Sequence, residues 1–288
     1  MQERWIDRRR DWDHLGAMTH AQPAFFIGHG SPMTMITDNP ERRFLEALGP
    51  LLERPKAILT ITAHWESQGT TRISEGEFPR TIHDFRGFPQ ELYDMQYPAP
   101  LAAELHDKVL ELAGDIPVRG DASWGFDHGV WGVLRPLFPA ADIPVLAMSV
   151  NHSLSPEQHL ELARRLAPLR REGVMIVGSG NVVHNLRLYH ATHGTKPDWA
   201  TAFQERINAA VIANDHAALT QFARDDQAAA NAINSGEHYL PLLYAVGARL
   251  PEDEVGVFND SIDGALSMTS YMLGNPSVLN EVAAPAVA

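Results

Sequence analysis

The chain contains no cysteine. That excludes disulfides, thiolate metal sites and cysteine nucleophiles, and leaves histidine and the carboxylates as available metal ligands. It has no apolar run of membrane-spanning length. Nor does an uninterrupted apolar stretch follow the charged start from Met1 to Arg10, so no secretory signal is expected and a cytoplasmic location follows. Positive charge is scarce: 23 Lys and Arg stand against 36 Asp and Glu, a formal net charge of −13. Such an acidic balance argues against general affinity for nucleic acid or an anionic membrane. Internal repeats, low-complexity linkers, a phosphate-binding Gly-x-x-x-x-Gly-Lys-Ser/Thr loop and a His-Glu-x-x-His helix are all missing. Gly178 and Gly180 open like a dinucleotide fingerprint, but Val183 stands where its third glycine belongs. Ser31 and Ser179 lie outside any Gly-x-Ser-x-Gly elbow, which leaves a serine hydrolase as a minor rival.

What is present is enough for one core. The chain has 288 residues, 44% of them hydrophobic, and no composition shift that marks a second domain. The expected layout is an N-terminal extension over residues 1–20, one catalytic domain over 21–280 and a flexible tail over 281–288. Apolar runs at Ala24–Gly28, Lys56–Ala63, Ile143–Val150 and Gly173–Val177 read as buried strands. Helical stretches lie between them. One is opened by Asn39-Pro40, with Phe44, Leu45 and Leu48 on a stripe, and another by the Ser155-Pro156-Glu157-Gln158 capping box. A helix through Ala113 follows Pro98 and Pro100, and helical patterns run over Asp198–Asn234 and from Glu237 onward. The span from Ser67 to Tyr97, rich in Gly, Pro and aromatic residues, reads as short strands and a long ordered loop forming a pocket wall. Strands alternating with helices predict an α/β fold with a mostly parallel or mixed central sheet flanked by helices.

The fourteen histidines carry the chemistry. His29, His64, His152 and His184 each sit shortly past the end of a predicted strand, and parallel strands deliver such positions to the C-terminal edge of the sheet. A histidine between glycines also serves as a simple turn cap, but four such positions are poorly explained that way. Neutral imidazole suits Zn(II) or Fe(II), so a mononuclear metal site is expected at that edge. Glu237 and His238 offer a further ligand. If both lie on the helix, they point about 100° apart and only one faces the metal.

Five spaced motifs then form a resemblance. They are Gly28-His29-Gly30-Ser31-Pro32, Ala63-His64-Trp65-Glu66, Asp127-His128-Gly129-Val130-Trp131, Gly178-Ser179-Gly180 with His184-Asn185-Leu186, and Glu237-His238-Tyr239-Leu240-Pro241-Leu242. In this order the chain resembles the class III extradiol ring-cleavage dioxygenases, and within them the 4,5-DOPA branch, over about residues 24 to 275. The resemblance implies Fe(II) for activity, with Zn(II) as an alternative occupant, held by His29, His64 and a third ligand. That third ligand is His238 in this branch, with Glu237 as the runner-up. It further implies that His184 is an acid/base, or a fourth ligand when Zn(II) fills the site, and that His128 contacts substrate or oxygen. His152 matches no motif of the family. The implied partners are a small catecholic substrate and O2. The rival in another class is a Zn-dependent hydrolase using the same histidines.

Overall fold

The computed structural model describes residues 20–222 and 226–283. Residues 1–19, which make up nearly all of the expected N-terminal extension, and the last five residues of the expected tail lie outside that description. The strands are β1 Ala24–Gly28, β2 Ala57–Ser67, β3 Thr71–Ser74, β4 Val118–Asp121, β5 Val145–Asn151, β6 Val174–Gly180, β7 Glu254–Phe258, β8 Ile262–Asp263, β9 Leu266–Ser267 and β10 Ser270–Gly274. The helices of the first half are α1 Pro40–Leu48, α2 Gln90–Tyr93, α3 Ala103–Ala113, α4 His128–Leu137 and α5 Pro156–Leu166. Those of the second half are α6 Leu186–Thr192, α7 Asp198–Ala213, α8 His216–Thr220, α9 Gln227–Ala232, α10 Leu240–Gly247 and α11 Ser277–Ala283.

Eight strands form one sheet in the order β4-β3-β5-β2-β6-β1-β10-β7, and β8 and β9 form a separate small ribbon. The inner run β5-β2-β6-β1 is parallel, while β10 and β7 add on antiparallel beside β1. The mixed α/β expectation is therefore borne out. Strands buried on both faces need apolar side chains in both phases of the pleat. In β1, Ala24 and Phe26 enter one core while Phe25 and Ile27 enter the other. The first core lies under α3, α5, α7 and α10, and the second under α1, α4 and α11.

Local signals place several boundaries. The Asn39 side chain accepts from the Arg42 backbone N–H at the start of α1, and both halves of the Ser155–Gln158 capping box are made at the start of α5. Other expectations change. The helical span over Asp198–Asn234 breaks at Asn214, which takes a left-handed conformation after α7. His216 then opens α8. The helix read from Glu237 starts only at Leu240, so Glu237 and His238 sit on the preceding turn, after Gly236 with φ of +90°. The angular argument for a helix does not apply to them.

β2 runs on past its expected end and contains His64, which was placed beyond it. Its pairing with β5 steps from Thr62↔Ser149 to Glu66↔Val150, so extra residues bulge out around His64. A bulge re-aims the side chain it carries. Because β2 continues, the end of β5 pairs with Glu66 and Ser67. His152 therefore falls beside Ser67, where its ring meets Glu66 away from the other histidines. It does not join them.

Candidate metal centre

The glycines at the ends of β1 and β6 work through close approach. A Cβ on Gly180 would lie 2.1 Å from the His238 carbonyl oxygen, and one on Gly178 would lie 2.2 Å from the Pro241 carbonyl. Neither glycine has a positive φ, and both lie within β6, so they present a bare strand surface. The 236–241 turn lies directly on that surface, and the Asn181 N–H donates to the His238 carbonyl at 2.9 Å. Gly28 is closed over in the same way by the Met268 backbone at 2.6 Å.

Five imidazoles converge at this edge. The His29 ring centre lies 4.9 Å from that of His64, 5.4 Å from His128 and 5.2 Å from His238. His184 stacks on His238 with ring centres 3.4 Å apart and planes within 6°. Two sets of donors are close enough to share an ion: His29, His64 and His128, and His184, Glu237 and His238.

Partners behind the rings decide which nitrogen faces inward. His29 Nδ1 lies 2.9 Å from the hydroxyl of Ser179. Asp84 Oδ2 accepts from His128 Nδ1 at 2.9 Å and lies 3.0 Å from His64 Nδ1 as an ion-pair contact. Glu237 Oε1 accepts from His238 Nδ1 at 2.9 Å. A carboxylate only accepts, so in the neutral rings Nε2 of His64, His128 and His238 is left bare. His29 Nε2 and His64 Nε2 stand 3.1 Å apart, and the buried His238 Nε2 has no partner among the described residues. Two nitrogens bound at metal distances of about 2.0–2.1 Å stand roughly 3.0–3.4 Å apart, so the His29–His64 pair fits a small divalent ion.

Burial holds His29 and His238 well below the usual imidazole range, and the neighbouring imidazoles add to the effect. It lowers His184 to about 4 and also lowers His128. At His64 burial acts in the same direction, but the Asp84 hydrogen bond and the Asp127 and Asp84 charges outweigh it and raise the pKa. Four of the five rings are thus kept neutral, the form that binds metal.

Ser179 is fully buried behind His29, and Ser31 caps a short 3-10 turn by accepting from Met33 N–H. Neither is placed as an exposed nucleophile. Sequence reasoning missed Asp84. The available signal was an acid inside an aromatic loop, where a carboxylate needs donors to replace water. Asp127 was visible only as part of a motif. It caps α4 by accepting from the Val130 N–H, and it also receives Thr62 Oγ1 at 2.7 Å and Trp124 Nε1 at 2.9 Å.

Comparison with known proteins agrees with this arrangement. Residues 23–265 match the family described as the catalytic LigB subunit of aromatic ring-opening dioxygenase. The chain belongs to that family and is an aromatic ring-opening dioxygenase, of a class that depends on a metal. More narrowly, it is 44% identical over 260 residues to the 4,5-DOPA dioxygenase extradiol of Escherichia coli K12, covering 88% of this chain and 94% of that protein. It is 35% identical over 270 residues to the 4,5-DOPA dioxygenase extradiol of Beta vulgaris, covering 89% and 98%. A crystal structure of an uncharacterised Escherichia coli K12 protein superposes with a TM-score of 0.76 at 38% identity, over 88% of this chain and all of that one. Among the described residues, no helix is long and apolar enough to cross a membrane.

Proposed function

We propose that this enzyme cleaves the ring of a DOPA-like catechol beside its pair of hydroxyls, with both atoms of O2 entering the product, at an Fe(II) centre held by His29, His64 and His238. The observation that carries this reading is the pair His29 Nε2 and His64 Nε2, 3.1 Å apart, with the ring of His238, its buried Nε2 without a partner among the described residues, 5.2 and 5.0 Å from theirs between centres. Glu237 is the partner that orients His238, since its Oε1 is spent on Nδ1 of that ring. When bound, iron supplies positions for both catechol oxygens and for O2 and makes the catechol easier to deprotonate. Zn(II) suits the same donors and occupies the site without supporting oxygen chemistry.

The chain's own groups do the rest. His184 is neutral at physiological pH because burial lowers it to about 4, so it enters the reaction able to take a hydroxyl proton and to return it later. No side-chain hydrogen bond among the described residues fixes its ring, which leaves it free for that exchange. His128, with Nδ1 tied to Asp84, turns Nε2 toward substrate or oxygen. Phe85 packs edge-on against His128 at 5.7 Å and joins Phe88, Tyr93 and Trp131 in an apolar wall that keeps water from one side of the ring. A small catechol and O2 are the partners of this reading.

The test is anaerobic reconstitution of the metal-free protein with Fe(II) or Zn(II), followed by a panel of catechols including DOPA. Oxygen uptake and visible absorbance are recorded together. Iron-dependent oxygen consumption with a new yellow semialdehyde chromophore is expected. Absence of oxygen uptake across the panel with either metal would overturn the reading.

A further inference from the structure

We infer that Asp84 is a positioning residue that sets the inward-facing nitrogens of two site histidines at once, so that the aromatic loop carrying it is part of the apparatus that retains the metal. The inference rests on the assignment of His64 as a ligand made above.

Every acceptor contact of this carboxylate described in the structure goes to two residues. Oδ2 accepts the Nδ1–H of His128 at 2.9 Å and stands 3.0 Å from Nδ1 of His64 as an ion-pair contact, and Oδ1 takes the backbone N–H of His128 at 2.9 Å. The two rings lie 3.9 Å apart between centres. The hydrogen bond places the proton of neutral His128 on Nδ1, and a carboxylate oxygen 3.0 Å from Nδ1 of His64 repels a lone pair there and so favours the same tautomer, leaving Nε2 of both rings bare. Without this carboxylate, either ring is free to flip or change tautomer, and a flipped His64 no longer turns a lone pair toward His29 Nε2.

Asp127 caps α4 through the Val130 N–H, while Asp84 Oδ1 takes the His128 N–H at the first residue of that helix, a contact that the amide oxygen of Asp84→Asn can keep. The position of Asp84 is fixed from both sides. The Ile82 N–H donates to Phe126 O at 2.7 Å, Trp131 Nε1 donates to Ile82 O at 2.9 Å, and His83 Nε2 donates to Met95 O at 3.0 Å. A loop pinned immediately before the carboxylate, with Phe85 set against His128 immediately after it, makes a rigid arm for the outer partner of a ligand. Loss of such a partner typically costs about 10- to 100-fold in metal affinity.

Two measurements test this. The first uses the wild-type metal-free protein with 15N-labelled histidine at pH 8.5, where long-range proton–nitrogen correlations report the tautomers. His64 and His128 are expected with the proton on Nδ1, and the other tautomer at either ring overturns the inference. The second is Zn(II) affinity by chelator competition in Asp84→Asn and Asp84→Glu, beside the Tm of each metal-free variant. Asp84→Asn is expected to weaken Zn(II) binding about 10- to 100-fold with little change in metal-free Tm, and Asp84→Glu to recover part of the loss. A fall in Tm with affinity kept within threefold would make Asp84 a structural residue and overturn the inference. If Asp84→Asn fails to fold, the tautomers of the wild-type protein decide. Retention of Zn(II) by His64→Ala would instead sink the ligand assignment beneath the inference, so the two failures are distinguishable.

Discussion

Gly180→Ala isolates the link between a bare strand and a ligand. The new methyl group would sit 2.1 Å from the His238 carbonyl oxygen and 3.0 Å from its carbonyl carbon. Optimal separations are about 3.5 Å or more, so the carbonyl must retreat by roughly 1 Å or more. Its hydrogen bond from the Asn181 N–H stretches, and the ring attached to the same residue moves with it. Overpacking of this kind costs about 1–3 kcal/mol. In a chain of this size, each kcal/mol lowers Tm by roughly 2–4 °C, so a fall of about 2–12 °C is expected. A displacement near 1 Å in the reaction geometry costs turnover on the order of 100-fold. Thermal unfolding of the metal-free variant measures the first effect, and Fe(II)-dependent oxygen uptake measures the second. The control is Gly132→Ala in α4, where a Cβ meets nothing within 4 Å. That substitution should raise stability by about 0.4–1 kcal/mol. A Gly180→Ala protein with wild-type Tm and wild-type oxygen uptake would refute the account of how His238 is placed.

Three further outcomes follow from the same geometry. His29→Ala and His64→Ala should lose bound metal, whereas His184→Ala should keep most of it and lose turnover; metal analysis showing equal loss in all three would make His184 a ligand. His159 is buried with Nε2–H donated to Asn151 O at 3.1 Å and Nδ1 accepting from Tyr244 O–H at 3.0 Å, and burial lowers its pKa from 6.5 to about 4. The unfolded chain binds this proton more readily, so the stability contributed by neutral His159 is complete above pH 6.5 and is lost progressively toward pH 4. The loss reaches about 2 kcal/mol at pH 5. Urea unfolding of the metal-free protein at pH 7 and 5 should show that slope shrinking in His159→Gln, and an unchanged slope would count against it. Arg170, fully buried, pairs with Asp253 and donates to the carbonyls of Gln22, Ala248 and Leu273. Asp253→Ala strands that charge and should cost about 3–5 kcal/mol in the same assay; a loss below about 1 kcal/mol would show that the carbonyls suffice.

What was legible in the sequence is what local chemistry decides. A side chain three residues from the N–H it caps is visible in one line of text, so Asn39 and the Ser155–Gln158 box marked α1 and α5. Apolar runs marked β1, β5 and β6. The positions of His29 and His184 followed from strand ends, and both rings stand in the cluster. His152 satisfied the same rule and failed, because the bulge around His64 lengthens β2 and carries the end of β5 away from the centre. Nothing local announces that bulge. Glu237 and His238 were assigned to a helix because Pro241 and the apolar run after it are helical, while the turn that holds them depends on Gly178 and Gly180, far back in the chain. Asp84 was invisible because its meaning depends on residue 128 folding against residue 84. The family resemblance supplied the role of His128 and the preference for His238 over Glu237, which strand-end reasoning alone did not give.

The placement of β1 sets when the molecule becomes complete. This strand, the first of the described residues to be synthesised, is flanked by β6 on one side and β10 on the other. Its parallel partner emerges only after about 150 further residues, roughly 10–30 s at ordinary rates of synthesis. Its antiparallel partner comes close to the end of the chain. Until then the Ala-Phe-Phe-Ile segment is an apolar strand with two open edges, a species that invites aggregation or a chaperone. His29, at the end of β1, shares that wait, so its place in the histidine cluster is set only once β6 and β10 have paired with β1.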